Sequence, residues 1–210
     1  MTNHARAERH ALCDLFIEVG PDAPTLCAGW TTRDLAAHLI VRETRPDAAA
    51  GILVPRLATY GDKVRRKVMD RDWRSIVDTV RSGPPRLSPM RIPAVDSLTN
   101  ALEFFVHHED VRRANRLDQP RRLDDDLDLA LLRALERGAR LMGRKAPCGL
   151  TMTPTGGIAF TVRKGSPVVD VAGDIGELVL FIYGRSSAAH VALSGEPDAV
   201  AAVRTTHFGV

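Results

Sequence analysis

The sequence is poor in cysteine. Its 210 residues include three, Cys13, Cys27 and Cys148, and no two of them form a CxxC pair. An odd number of widely spaced cysteines argues against a disulfide framework and against a zinc site built from thiolates. A metal site in this chain would therefore have to use histidine and carboxylate side chains.

Aromatic residues and excess charge are also scarce. Aromatics make up 5% of the chain, so there are few of the stacking platforms that a single-strand nucleic-acid binder needs. The formal net charge is only +3, from 29 basic and 26 acidic residues. The densest arginine cluster, at 112–122, precedes an acidic run at 124–128, and we interpret it as a solvated face. We expect no nucleic-acid partner.

Long apolar runs are missing as well. No stretch approaches the roughly 18 apolar residues of a membrane-spanning helix. The first eight residues lack the basic-then-apolar profile of a secretory signal. These absences predict a cytoplasmic protein with no membrane partner.

The first two thirds of the chain have helical patterning. Apolar spacing predicts a helix from His4 to about Val19, and another from Thr32 to about Arg45, with Thr31 and Asp34 resembling a capping box. Residues 55–81 are expected to hold one broken or two short helices.

Two further helices are predicted in this part of the chain. A proline-rich connection spans 82–93, and helices are expected over 96–116 and from Asp124 to about Gly143. Five helical segments with one long crossover resemble a decorated four-helix bundle.

After Pro147 the pattern changes to short β-like runs at 149–153, 158–163, 168–171 and 190–193, with helices expected at 175–183 and 197–204. The predicted fold class is therefore mixed, with a four-helix bundle followed by a small α+β domain. The predicted domains are residues 1–146 and 147–210.

One helix carries a candidate site. Glu103 and His107 are four residues apart and project from one helix face, within reach of a common ion. The same polar stripe contains Asp96, Asn100 and Asp110. Such a stripe on a buried helix is costly unless its members are paired or bind a metal. A solvated ion pair has the same spacing, so the spacing alone leaves both readings open.

A histidine on a second helix extends the set. His38 lies on an apolar segment. Taken alone, it is best interpreted as a core histidine that is hydrogen-bonded to a partner. With Glu103 and His107 it gives two histidines and one carboxylate, the ligand number of a catalytic divalent site that keeps one position open.

The motifs resemble a known family. Residues 29–31 and 34–39, followed by Glu103, His107, His108 and Asp110, resemble the DinB-like metal-binding bundle proteins of actinobacteria, and most of all the mycothiol-dependent maleylpyruvate isomerase family. Residues 178–185 and 191–200 are similar to that family's small C-terminal domain, which is sterol-carrier-like. The resemblance covers most of the chain.

The resemblance implies a function and a set of site residues. It implies that His38, Glu103 and His107 bind a divalent metal, for which zinc is the first choice, and that Arg185 acts at the active site, where it could orient an anionic substrate. The metal would activate mycothiol, with an electrophile as second substrate, in an isomerase or S-transferase that is a monomer or a homodimer. The alternative is a non-catalytic protein that binds a metal, a small ligand or a partner on the same scaffold.

Neighbouring residues have smaller predicted roles. Asp110 could orient His107, although an aspartate at this spacing is as often a solvated charge. His108 is expected to face solvent or an interface, and Trp30 to pack the loop onto the bundle. Cys27 has no nearby histidine motif, so we do not expect it to be a nucleophile.

Overall fold

A computed structural model of the protein describes residues 4–45, 58–84 and 99–209. Within these ranges the chain forms eight α-helices, one short 3-10 helix and a four-stranded sheet. It divides into two compact units, Met1–Asp118 and Gln119–Val210. The predicted mixed fold class, a helical domain plus a small α+β domain, is confirmed.

The N-terminal unit is helical. Its helices are α1 (His4–Val19), α2 (Thr32–Thr44), α3 (Ala58–Met69), α4 (Trp73–Ser82) and α5 (Thr99–Ala114). The predicted bounds of α1 and α2 are confirmed to within one residue. The segment at 55–81 contains two helices rather than one broken helix. Most of the proline-rich connection, and the predicted start of α5 at Asp96, lie outside the described residues.

Local sequence explains where the first two helices end and begin. Gly20 has a φ of +83°, a backbone region open to glycine, and its N–H donates to the Phe16 carbonyl at the end of α1. At the start of α2, the Thr31 side chain accepts from the Asp34 N–H, and Asp34 accepts from the Thr31 N–H. The predicted capping box is therefore present.

Four of these helices share one apolar core, to which α1 contributes Leu12 and Phe16, α2 Leu35 and Leu39, α4 Ile76, Val77 and Val80, and α5 Phe104 and Val111. These side chains are almost fully buried. The remaining helix, α3, lies against α2. This packing is a four-helix bundle with one added helix.

The C-terminal unit is an α+β layer structure. It contains α6 (Asp125–Met142), the 3-10 helix (Gly143–Lys145), β1 (Gly149–Pro154), β2 (Phe160–Arg163), β3 (Val168–Gly173), α7 (Ile175–Ile182), β4 (Ala192–Ser194) and α8 (Pro197–Thr205). The strand order is β2-β1-β3-β4. The central pair β1 and β3 is parallel, with Leu150 opposite Val169, and both edge pairings are antiparallel.

The predicted domain boundary and the division found in the structure place helix α6 in different units. The sequence analysis assigned it to the bundle by placing the domain boundary at 146/147. In the structure α6 packs against α7 and β2 and is grouped with the C-terminal unit. Its leucine stripe, which includes Leu127, Leu131 and Leu135, shows that it must bury one face but does not specify the partner.

None of the helices in these described ranges is both long enough and apolar enough to cross a membrane.

Candidate metal centre

Helices α2 and α5 of the N-terminal unit bring three predicted ligands together. His38 Nε2 lies 3.7 Å from Glu103 Oε1, and His107 Nε2 lies 3.3 Å from the same oxygen. One ligand atom from each residue falls within 4.8 Å of the others. The two imidazole rings are 5.5 Å apart and nearly perpendicular. The donor atoms of the three side chains therefore lie close together. Glu103 and His107 are one helical turn apart on α5, and His38 joins them because α2 belongs to the same bundle.

The cluster lies at the edge of the bundle interior. The side chains of His38, Glu103 and His107 are 15%, 23% and 10% exposed. Leu39 and Phe104, each next to one of these residues in sequence, are fully buried. The three side chains are therefore largely, but not completely, buried.

The charges of the three groups are strongly coupled. Burial and the nearby His107 lower the pKa of His38, in spite of its hydrogen bond to Glu103. Burial acts to raise the pKa of Glu103, but hydrogen bonds to His107 and His38 and the charge of Arg42 outweigh it and hold that pKa well below its usual value. The site therefore contains an ionised carboxylate.

His107 is held from both sides of its ring. Burial opposes its protonation, but hydrogen bonds, first to Asp110 and also to Glu103, outweigh this effect and raise the pKa of His107 well above its usual value. Its Nδ1 is 2.9 Å from Asp110 Oδ2, while its Nε2 faces Glu103. The contact that would allow Asp110 to orient His107 is therefore present, and Asp110 is fully buried rather than solvated.

Sequence reasoning missed two neighbours of the cluster. The Cys27 thiol donates to Asp110 Oδ2 over 3.2 Å, and Cys27, His107 and Asp110 form a second group of possible metal ligands. Arg42 Nε lies 3.4 Å from Glu103 Oε1 and its Nη1 donates to Asn100 Oδ1. A weak signal existed for Arg42, which follows His38 by one helical turn. The sequence contains no comparable local signal for Cys27.

An aromatic residue covers His38. The ring of Trp30 is centred 5.2 Å from the imidazole of His38. The guanidinium of Arg65 lies 4.7 Å from the centre of the same indole and is also paired with Asp34. Trp30 thus has the packing role that the sequence predicted, and it packs directly on a candidate ligand.

Two predictions about nearby residues were wrong. His108 does not face solvent, because it is buried and its Nδ1 lies 3.0 Å from Glu8 Oε2 on α1. The arginine cluster is not uniformly solvated either, since Arg112 and Arg113 both donate to the buried carboxylate of Glu109. In both cases a carboxylate offsets the cost of burying a basic side chain. Glu8 lies on a different helix from His108, so spacing does not reveal that pair. Glu109 is three and four residues before the two arginines, so helical spacing reveals their pairing but not its burial.

Arg185 belongs to the C-terminal unit and is not part of this cluster. It follows α7, its backbone N–H donates to the Leu180 carbonyl, and its guanidinium donates to the Tyr183 carbonyl over 2.6 Å. Its role at the active site stays a prediction.

No protein-family model and no curated protein matches the sequence. The fold defines the chain as a helical bundle protein with a small α+β unit, and two solved structures have a similar fold. The first is the crystal structure of the mycothiol-dependent maleylpyruvate isomerase, with a TM-score of 0.61 and 15% identity; the match covers 92% of this chain and 91% of that one. The second is a mutant of that isomerase in which a histidine is replaced by alanine, with a TM-score of 0.52, 17% identity and the same coverage. At such low identity the similarity is one of fold, and the DinB-like assignment stays a prediction.

Proposed function

We propose that this protein is a divalent-metal enzyme that uses a low-molecular-weight thiol of the mycothiol type, as an isomerase or an S-transferase. The observation that carries this proposal is the convergence of His38, Glu103 and His107 on one partly accessible point. The similarity of the fold to that of a mycothiol-dependent isomerase supports it.

The donor atoms fit a divalent ion. Two imidazole nitrogens and one carboxylate oxygen are a common protein ligand set for zinc, and three such ligands leave one position open. Metal–ligand bonds of about 2.0–2.1 Å at tetrahedral angles place neighbouring donor atoms about 3.4 Å apart. The observed separations from Glu103 Oε1 are 3.3 and 3.7 Å. We assign zinc as the ion and these three residues as its ligands.

When bound, such an ion lowers the pKa of a coordinated thiol and so supplies a thiolate near neutral pH. The chain's own residues hold and shape the site. Arg42 holds the Glu103 carboxylate from one side, and Trp30 packs on His38. We assign Arg185 to the binding of an anionic group on the electrophilic substrate, as the family resemblance implies. If the nucleophile is such a borrowed thiol, the chain needs no reactive cysteine of its own.

Metal content tests the ligand assignment. We expect about one divalent ion per chain in the purified protein, and loss of that ion in His38→Ala and Glu103→Ala. His207→Ala is the matched control, because this exposed histidine belongs to the C-terminal unit. Retention of the ion by both ligand variants would refute the site.

Tryptophan fluorescence gives a second readout of binding. The chain has two tryptophans, and in a Trp73→Phe background only Trp30, which packs on His38, remains. We expect Co²⁺ to quench Trp30 in the metal-free protein and to quench it far less in the His38→Ala variant. Equal quenching in both proteins would place the bound ion elsewhere.

Turnover separates an enzyme from a binding protein. We expect consumption or isomerisation of maleylpyruvate and related electrophiles that requires both mycothiol and the metal. A protein that retains its ion but shows no turnover across a broad panel of electrophiles would instead be a non-catalytic binder.

A further inference from the structure

The loop at 24–31 contacts both candidate histidine ligands. Trp30 packs on the His38 ring, at 5.2 Å between centroids. On the other side of the site, the Cys27 thiol donates over 3.2 Å to Asp110 Oδ2, the same oxygen that lies 2.9 Å from His107 Nδ1. A chain of two hydrogen bonds therefore links this loop to the ring of His107.

The loop itself is fixed on α5. The Leu26 N–H donates to the Asp110 carbonyl over 3.0 Å. Thr25 Oγ1 accepts from the Cys27 N–H and donates to the Trp30 carbonyl. Pro24 and Thr31 form an antiparallel bridge that closes the loop. The position of the Cys27 sulfur is thus set by backbone contacts on both sides of it.

We propose that Cys27 is a positioning residue of the metal site, which through Asp110 holds His107 with Nδ1 as the hydrogen-bond donor and Nε2 directed at the ion. The inference rests on the proposed metal site. Asp110 is fully buried, so its carboxylate has few alternative orientations, and the thiol occupies one of its acceptor directions. Without the thiol's hydrogen bond, the orientation of the carboxylate is less firmly held, and its hydrogen bond to His107 Nδ1 weakens. An outer hydrogen bond of this kind fixes the tautomer and the ring orientation of a ligand histidine.

Metal affinity tests the proposal. In competition titrations of Zn²⁺ against a chromophoric chelator, we expect Cys27→Val and Asp110→Asn to weaken binding about 10–100-fold. Cys27→Ser keeps a hydrogen-bond donor, and we expect it to restore affinity to within about threefold of the wild type. Cys13→Val is the matched control, because Cys13 is a buried thiol of the same unit whose sulfur faces the Val77 carbonyl instead.

The Nδ1–H proton of His107 gives a readout that simple loss of packing would not move. In the zinc-loaded protein, binding of the ion to Nε2 leaves the proton on Nδ1, and with ¹⁵N-labelled histidine we expect this proton to resonate far downfield in the wild type and in Cys27→Ser, because it is hydrogen-bonded to Asp110. In Cys27→Val we expect the resonance to move upfield, because that hydrogen bond is weaker. This measurement needs only the Cys27 variants, in which no charge is changed, so it can be made even if Asp110→Asn does not fold.

The outcomes separate this inference from the proposed function. If His107→Ala abolishes binding while Cys27→Val keeps the wild-type affinity and the wild-type Nδ1–H resonance, the metal site stands and the positioning role of Cys27 is wrong. If His38→Ala and His107→Ala both bind zinc as the wild type does, the proposed metal site itself is wrong.

Discussion

The two units of this protein differ in what they bury. Among the described residues, every buried polar or charged side chain except Glu177 belongs to the N-terminal unit. Most of them lie on α5, namely Asn100, His107, His108, Glu109, Asp110 and Arg113. In the C-terminal unit, α7 is buried along its whole length and is almost entirely apolar.

This difference shows where the chain accepts a stability cost. A buried charge is tolerated only with a partner, and the N-terminal unit provides one for each example that we describe: Arg9 with Glu43, His108 with Glu8, and Arg113 with Glu109. Such concentrations of paired polar groups in a core are typical of functional regions. The C-terminal unit, in contrast, is built as an ordinary apolar core.

The largest expected effect comes from breaking the buried pair in the N-terminal unit. Arg9 donates to both carboxylate oxygens of Glu43 and lies over the Phe104 ring. We expect Glu43→Gln to lower the free energy of unfolding by about 3–5 kcal/mol, because it leaves the Arg9 charge buried without its carboxylate. Urea unfolding followed by tryptophan fluorescence measures this unit, since Trp30 and Trp73 both belong to it.

Two controls belong with that substitution. Asp14→Asn makes the same chemical change in a pair with Arg81 where Asp14 is 73% exposed, and should cost about 0–1 kcal/mol. The double variant Arg9→Met with Glu43→Gln should recover most of the loss, because neither charge of this pair then remains buried. Similar costs for Glu43→Gln and Asp14→Asn would show that the buried charge of Arg9 in the N-terminal unit does not depend on its partner.

The apolar unit should respond to loss of volume instead. Leu178 on α7 is fully buried, and we expect Leu178→Ala to destabilise the C-terminal unit by about 2–5 kcal/mol. Leu141→Ala makes the same change on α6 where the side chain is 55% exposed, and should stay within about 0.5 kcal/mol of the wild type. Circular dichroism measures both variants. A cost below about 1 kcal/mol for Leu178→Ala would show that this core is loosely packed.

The smallest expected effect concerns a buried thiol in the N-terminal unit. Burial raises the pKa of Cys13 from 9.0 to about 12. The native state therefore keeps its proton between pH 9 and pH 12 while the unfolded state loses it, so stability falls as the pH rises through this window. At pH 10 the loss is about 1.4 kcal/mol.

Cys13→Val isolates this effect. The difference in unfolding free energy between the wild type and this variant should shift by about 1.4 kcal/mol, against the wild type, between pH 7 and pH 10. An unchanged difference at the two pH values would mean that the thiol ionises as readily in the native protein as in the unfolded chain.

Much of the fold was predictable because its signals are local. The spacing of Leu12, Leu15 and Val19 predicted α1, and the pair Thr31 and Asp34 predicted the start of α2. Capping and apolar periodicity act within one or two helical turns, so a single sequence reveals them. The packing partner of α6 was not predictable in this way, because an amphipathic stripe fits any complementary apolar surface.

The candidate site, like the fold, was only partly predictable from the sequence. The sequence by itself determined that Glu103 and His107 share a helix face, since this follows from 3.6 residues per turn. Only the tertiary structure decided that His38 meets Glu103, that Glu8 pairs with His108, and that Cys27, 83 residues away along the chain, donates to Asp110. Helical hydrogen bonding acts over four residues, whereas these contacts depend on how whole helices and a loop pack in three dimensions.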